Sequence, residues 1–109
     1  MGYRLNVAKT YKVEFGMDGF NRQVDAVHKL LKDNCKECFF TEDETHIDVD
    51  KEEFLELAVS VNRMSEDEFK VYGFDDYYTR AVVHDILLRM YLDADKEEEN
   101  IHLFWFGLL

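Results

Sequence analysis

The feature that most constrains the fold is an alternation of apolar and polar residues near the amino terminus. From Tyr3 to Phe15, one parity is apolar except at Lys9 and the other is mainly polar. A repeat of two residues sends alternate side chains to opposite faces of a β-strand, so this segment predicts a strand with one buried face. Because the segment is long for a single strand, we expect a bulge or bend near Ala8 and Lys9.

Helical spacing begins after this segment. Asp18 and Gly19 predict a turn, and the apolar residues that follow recur at the spacing of a helix over residues 20–34. A second helix is expected to start at Asp50, whose side chain can accept a hydrogen bond from the backbone N–H of Glu53. Polar residues suited to a helix end follow at 62–63.

Two more helices are predicted in the second half. Ser65 followed by Glu68 has the spacing of a capping box, and Gly73 suits the left-handed residue after a short helix over residues 66–72. Residues 77–92 are apolar around most of a helical circumference. This segment predicts a central helix.

The remaining segments predict short strands over residues 38–40, 45–49 and 101–106. The last is apolar on both parities, which is typical of a central strand buried on both faces. The element order fits one α+β domain over residues 1–109, a two-layer sandwich with the ferredoxin-like βαββαβ order and extra helices in its second half. We expect three to five strands with helices mainly on one face. The other face, near Phe104 and Phe106, would need a cover from the chain or from a second subunit.

The charge is strongly negative and unevenly distributed. The chain has 13 basic and 24 acidic residues and a formal net charge of -11. Residues 1–36 contain seven basic and four acidic residues, whereas residues 37–109 contain six basic and 20 acidic residues. This charge repels phosphate backbones and argues against nucleic-acid binding. With no apolar stretch long enough to span a membrane and no signal-peptide pattern, we expect a soluble, cytoplasmic protein without membrane contact.

These properties favour a non-enzymatic protein-interaction or inhibitor-type module that binds a basic surface on a protein partner. A second copy of the chain is another candidate partner. The candidate contact residues are acidic or aromatic: Glu42, Asp43, Glu44, Glu66, Asp67, Glu68, Trp105 and Phe106. The alternative interpretation is that the acidic runs are solvated surface and that Trp105 and Phe106 belong to the core.

The chemical signals are sparse. Cys35 and Cys38 have a spacing that suits zinc or a small disulfide, and His46 is the nearest histidine, so these three residues are the candidate metal ligands. We expect the cysteines to be structural, with metal binding and redox chemistry as alternatives, and we expect no cofactor. Residues 42–53 resemble a calcium loop only in outline, because Ile47 occupies the position that requires glycine. No catalytic motif is present, which leaves an enzyme assembled from distant residues as a third alternative.

Overall fold

The strands form one antiparallel sheet with an apolar face and a second face that mixes polar and aromatic residues. The structure, a computed structural model, describes residues 3–9, 14–20, 22–94 and 96–107. The strands are β1 (Tyr3–Lys9), β2 (Glu14–Gly19), β3 (Cys38–Phe40), β4 (His46–Asp50) and β5 (Asn100–Gly107). Their order across the sheet is β2-β1-β5-β4-β3, and every neighbouring pair is antiparallel.

One face of the sheet is apolar and is buried along β1, β4 and β5. Leu103 of β5 pairs with Val7 of β1 on one side and with Ile47 of β4 on the other, so apolar side chains meet across three strands. The same face continues in both directions along these strands. Its buried members are Leu5, Val7, Ile47, Val49, Ile101, Leu103 and Trp105.

Four helices bury their apolar residues against this face: α1 (Val24–Asn34), α2 (Lys51–Val61), α3 (Glu66–Lys70) and α4 (Arg80–Asp93). The side chains of Asp50, Ser65 and Thr79 cap the first turns of α2, α3 and α4 by accepting backbone N–H groups. The chain is therefore a small α+β domain with helices on one face of an antiparallel sheet. No described helix has the length and apolarity needed to cross a membrane.

The amino-terminal alternation forms two strands, which corrects the prediction of one strand. β1 and β2 pair as antiparallel neighbours, and the residues between them, 10–13, lie outside the described part of the chain. The register shifts between Asn6 and Ala8, close to the expected bulge. Asp18 and Gly19, predicted as a turn, belong to the end of β2. Alternation specifies the two faces of a strand but not the position at which the chain reverses.

The helix starts differ from the predictions at both long helical segments. α1 begins at Val24 and not near residue 20, because Phe20 and Arg22 have φ angles of 55° and 63° in the left-handed region. α4 begins at Arg80, since Thr79 is its cap and the preceding residues form turns. α4 is not a central helix either, because Leu92 is 64% exposed.

The predicted central position of the last strand is confirmed, since β5 lies between β1 and β4. The predicted burial on both faces is wrong for the described residues, because His102 and Phe104 are only half-buried. The ferredoxin-like arrangement is not confirmed. In that arrangement a helix connects parallel strands that another strand separates. Here α2, α3 and α4 connect β4 to β5, which are antiparallel neighbours.

Candidate functional site

The second face of the sheet has no helix over it in the described part of the chain. We call it the uncovered face, and it comprises the outward side chains of β1, β3, β4 and β5 whose placement is described. None of them is buried, and Phe39 is 63% exposed. The members with functional chemistry or large aromatic area are Arg4, Phe39, His46, Asp48, His102 and Phe104. The expected cover over Phe104 is therefore absent from the described residues, and the side chain of Phe106 lies outside them.

Two histidines and one aspartate meet on the uncovered face. His46 and Asp48 are two residues apart on β4, so their side chains leave the same side of the strand. His102 lies on β5 directly opposite Asp48, where side chains on neighbouring strands come close together. The sheet register, and not the chain sequence, places the three groups together. We call them the His–Asp–His cluster.

The cluster is tightly spaced. Oδ1 of Asp48 lies 2.5 Å from Nδ1 of His102 and 3.2 Å from Nε2 of His46. Each of the three residues offers one nitrogen or oxygen ligand atom, and these three atoms lie within 4.8 Å of one another. Oε1 of Glu98 is 3.8 Å from the other ring nitrogen of His102. The arrangement offers imidazole nitrogens and carboxylate oxygens to one small ligand.

The turn from β3 to β4 borders this cluster. Asp43 accepts hydrogen bonds from the hydroxyls of Thr41 and Thr45, both at 2.8 Å, which holds the pKa of its carboxyl below the ordinary value. Glu44, whose φ is 58°, forms an ion pair of 2.8 Å with Lys32 that lowers the pKa of its own carboxyl. A shallow groove continues from the turn to the sheet. It is lined by Thr41, Glu42, Asp43, Thr45, His46 and Phe104.

The other predicted acidic contact run lies at the start of α3. Glu66 pairs with Arg80 at 2.7 Å. Glu68 completes the capping box with Ser65, whose backbone N–H lowers the pKa of the Glu68 carboxyl. Asp67, the third member, has no hydrogen-bond or ion-pair partner among the described residues. Glu66 lines a second groove, whereas Glu42 and Asp43 line the groove at the β3–β4 turn. The two acidic runs therefore do not form one site.

The two cysteines and His46, predicted as metal ligands, are not brought together. Cys38 of β3 pairs with Val49 of β4 and packs against the core. His46 belongs to the uncovered face. Burial is the main cause that raises the pKa of Cys35 to about 12 and that of Cys38 to about 11. Both groups are therefore thiols at neutral pH, while metal binding and disulfide exchange use the thiolate. Both cysteines are free.

Trp105 belongs to the core and not to an exposed contact surface. It is 4% exposed, and its indole N–H donates to Nε2 of His28 at 2.8 Å. Burial lowers the pKa of His28, so the imidazole is neutral at pH 7 and accepts this hydrogen bond. The pair joins α1 to β5 on the covered face. His28 and the two cysteines line neither groove described above.

Asp48 and His102 are the site residues that the sequence analysis missed. The alternation of residues 46–50 contained part of the signal, since it places His46 and Asp48 on one side of a strand. His102 is the one polar residue in the otherwise apolar segment 101–106, which was a second signal. The sequence held no indication that β4 and β5 are neighbours or that Asp48 lies opposite His102.

Comparison of the chain with protein families, with curated proteins and with solved structures finds no significant match. A functional proposal for this chain therefore depends on the arrangement of its own residues.

Proposed function

We propose that the protein is a non-enzymatic interaction module whose uncovered face binds a basic surface on another protein. The observation that carries the proposal is a sheet face without helix cover that combines exposed aromatic area with carboxylates. The proposal places this activity in the cytoplasm, where thiols stay reduced, and involves neither nucleic acid nor membrane.

The uncovered face has the composition of a contact surface. Phe39 is 63% exposed, and Phe104 is half-buried beside the groove at the β3–β4 turn. Aromatic residues at the centre of an interface supply much of its binding energy, and charged groups at the rim determine which partner approaches. Here Glu42 and Asp43 are exposed at the border of the face, and Asp48 lies within it.

The charge selects the class of partner. At a net charge of -11, two copies of the chain repel each other, as do the chain and a phosphate backbone. A surface rich in lysine and arginine is attracted instead, which raises the association rate at low salt. A basic protein therefore fits the face better than a second copy does.

A matched pair of double variants tests the proposal. Phe39→Ala with Glu42→Gln removes one aromatic ring and one negative charge from the uncovered face and its border. Val71→Ala with Asp67→Asn removes exposed apolar area and one charge elsewhere, since Val71 is also 63% exposed. Affinity capture from the native cell, followed by binding measurements with the purified partner, compares both variants with the unmodified chain.

We expect the partner to bind the unmodified chain and the Val71/Asp67 variant equally, and the Phe39/Glu42 variant at least about tenfold more weakly. Binding is also expected to weaken between about 0.15 M and 0.5 M salt, because screening shortens the reach of the acidic groups. Equal loss in both variants, or binding that salt does not change, would contradict the proposal.

Light scattering tests whether a second copy of the chain binds the same face. We expect a monomer at high protein concentration. A dimer that the Phe39/Glu42 variant dissociates would assign the face to a second copy and would contradict the proposal of a basic partner.

A further inference from the structure

The His–Asp–His cluster contains the ligand types of a transition-metal site. Zinc and related divalent ions bind imidazole nitrogen and carboxylate oxygen, and sites with two histidines and one carboxylate leave coordination positions open to water. Calcium and magnesium prefer oxygen ligands alone, so the two imidazoles select against them. The negative net charge of the chain adds a general attraction for cations.

The spacing of the donor atoms agrees with such an ion. Ligand bonds of about 2.0–2.2 Å in a tetrahedral arrangement separate two donor atoms by roughly 3.3 Å. Nε2 of His46 and Oδ1 of Asp48 are 3.2 Å apart. Oδ1 of Asp48 and Nδ1 of His102 are closer, at 2.5 Å, which is shorter than an ordinary N–H···O hydrogen bond. To bind one metal ion together, these two atoms need to move apart by less than about 1 Å.

His46 supplies an independent observation. Its Nε2 atom is buried and has no hydrogen-bond partner among the described residues, because the 3.2 Å contact to Asp48 lacks hydrogen-bond geometry. A buried polar nitrogen without a partner costs free energy, and a bound ion would remove that cost. The atom lies on the side of the ring that faces the other two ligands. The carboxylate of Glu98, 3.8 Å from Nε2 of His102, adds negative charge at the other ring nitrogen of the same histidine.

The backbone of the cluster is rigid enough to hold an ion. All three residues belong to β4 and β5, which pair along five consecutive positions from His46 to Asp50. Sites on paired strands keep their geometry better than sites on loops. We propose that His46, Asp48 and His102 bind one divalent transition-metal ion of the zinc class, with water completing the coordination. This site replaces the predicted cysteine set and does not depend on the proposed protein partner.

Zinc binding by the intact, metal-free chain is the direct test. Isothermal titration with zinc chloride is expected to show one site with a Kd below about 10 µM. Asp48→Asn and His102→Gln should each weaken binding at least about tenfold, because each removes a ligand. Addition of zinc should shift the imidazole NMR signals of His46 and His102 and leave those of His28 and His84 in place.

Two control variants distinguish this site from other candidates. His84→Gln, on α4, and Cys38→Ala, on the covered face, are expected to bind zinc like the unmodified chain. Cobalt substitution should give visible absorption bands without the near-ultraviolet band of a cobalt–thiolate bond. Circular dichroism checks the fold of each variant, and His46→Gln replaces any ligand variant that does not fold.

The proposal is overturned if no saturable binding occurs up to about 1 mM zinc. It is also overturned if the ligand variants bind as tightly as the unmodified chain, or if Cys38→Ala abolishes binding. Loss of zinc binding with unchanged partner binding would leave the proposed interaction module intact, so the two proposals fail separately.

Discussion

The two faces of the sheet use the same strands for different purposes. On β5, Leu103 is fully buried against the helices, whereas the adjacent His102 keeps 19% of its side chain exposed and contacts a carboxylate. On β4, Ile47 is fully buried and the adjacent Asp48 is not. The buried apolar residues are therefore concentrated on the covered face, and the groups that we propose to bind an ion or a partner lie on the uncovered face.

This separation has a physical cause. Burial of apolar area is favourable in proportion to that area, and the fully buried apolar residues of β4 and β5 lie on the covered face. Histidine and aspartate gain little from burial and are costly to bury without partners. A change on the uncovered face should therefore alter binding without unfolding the protein. The following predictions test this difference.

The largest effect is expected from a truncation on the covered face. Leu103→Ala removes a fully buried side chain between β1 and β4 and should lower the free energy of unfolding by about 3 kcal/mol. Urea denaturation measures the change. Phe39→Ala, on the uncovered face, is the control and should cost less than about 1 kcal/mol. Equal costs for both variants would contradict the division between the faces.

A smaller loss is expected where β2 approaches α4. A Cβ atom added at Gly19 would lie 2.7 Å from Cγ2 of Ile86 and 3.3 Å from Cε of Met90. Gly19→Ala should therefore lower the free energy of unfolding by about 1–3 kcal/mol through overpacking. A double-mutant cycle checks the cause, because Gly19→Ala should cost less when Ile86 is already alanine. An unchanged cost in that background would rule out this contact.

The buried histidine should make stability depend on pH. Burial lowers the pKa of His28 from 6.5 in the folded state, so the unfolded chain binds a proton more readily. The contribution of neutral His28 is present above about pH 6.5 and is lost as the pH falls toward the lowered value, by at most about 1.4 kcal/mol per pH unit. Denaturation at several pH values should show this decline.

A substitution identifies the group that is responsible. His28→Gln keeps an oxygen that can accept from Trp105 but has no titrating ring, so its stability should decline less between about pH 7 and pH 5. His84→Gln, on α4, should retain the decline of the unmodified chain. Identical profiles for His28→Gln and the unmodified chain would assign the pH dependence to other groups.

The smallest effect is expected within the His–Asp–His cluster. Asp48→Asn removes the carboxylate that contacts both histidines, yet Asp48 is only half-buried and lies outside the core. In the presence of a chelator, we expect a change in the free energy of unfolding of less than about 1 kcal/mol, measured by urea denaturation. A loss as large as that of Leu103→Ala would mean that the cluster maintains the fold.

Much of the local structure was predictable because it depends on neighbours in sequence. Asp50 and Ser65 cap helices as their spacing indicates, and the capping box of Ser65 and Glu68 is complete. The alternation near the amino terminus correctly predicted β-structure, but as one strand and not as the two that form. The positions of Phe20 and Arg22 in the left-handed region could not be predicted from propensity, since neither is a residue type that favours this region.

The candidate sites show a sharper limit. The acidic residues of the β3–β4 turn were identified as a run of negative charge, and the structure places them next to the uncovered face. Cys35 and Cys38 suggested a metal site with His46. The structure instead places Cys38 on the covered face and His46 on the uncovered face. His102 was found only through its position opposite Asp48.

The sequence by itself determined the α+β composition, the helix caps, the alternating strands and the acidic exterior, because each depends on residues a few positions apart or on composition alone. Tertiary structure decided the strand order, the helix-free face and the meeting of His46, Asp48 and His102. Those features depend on pairing between strands more than fifty residues apart in the chain, for which the sequence of one protein contains no local signal.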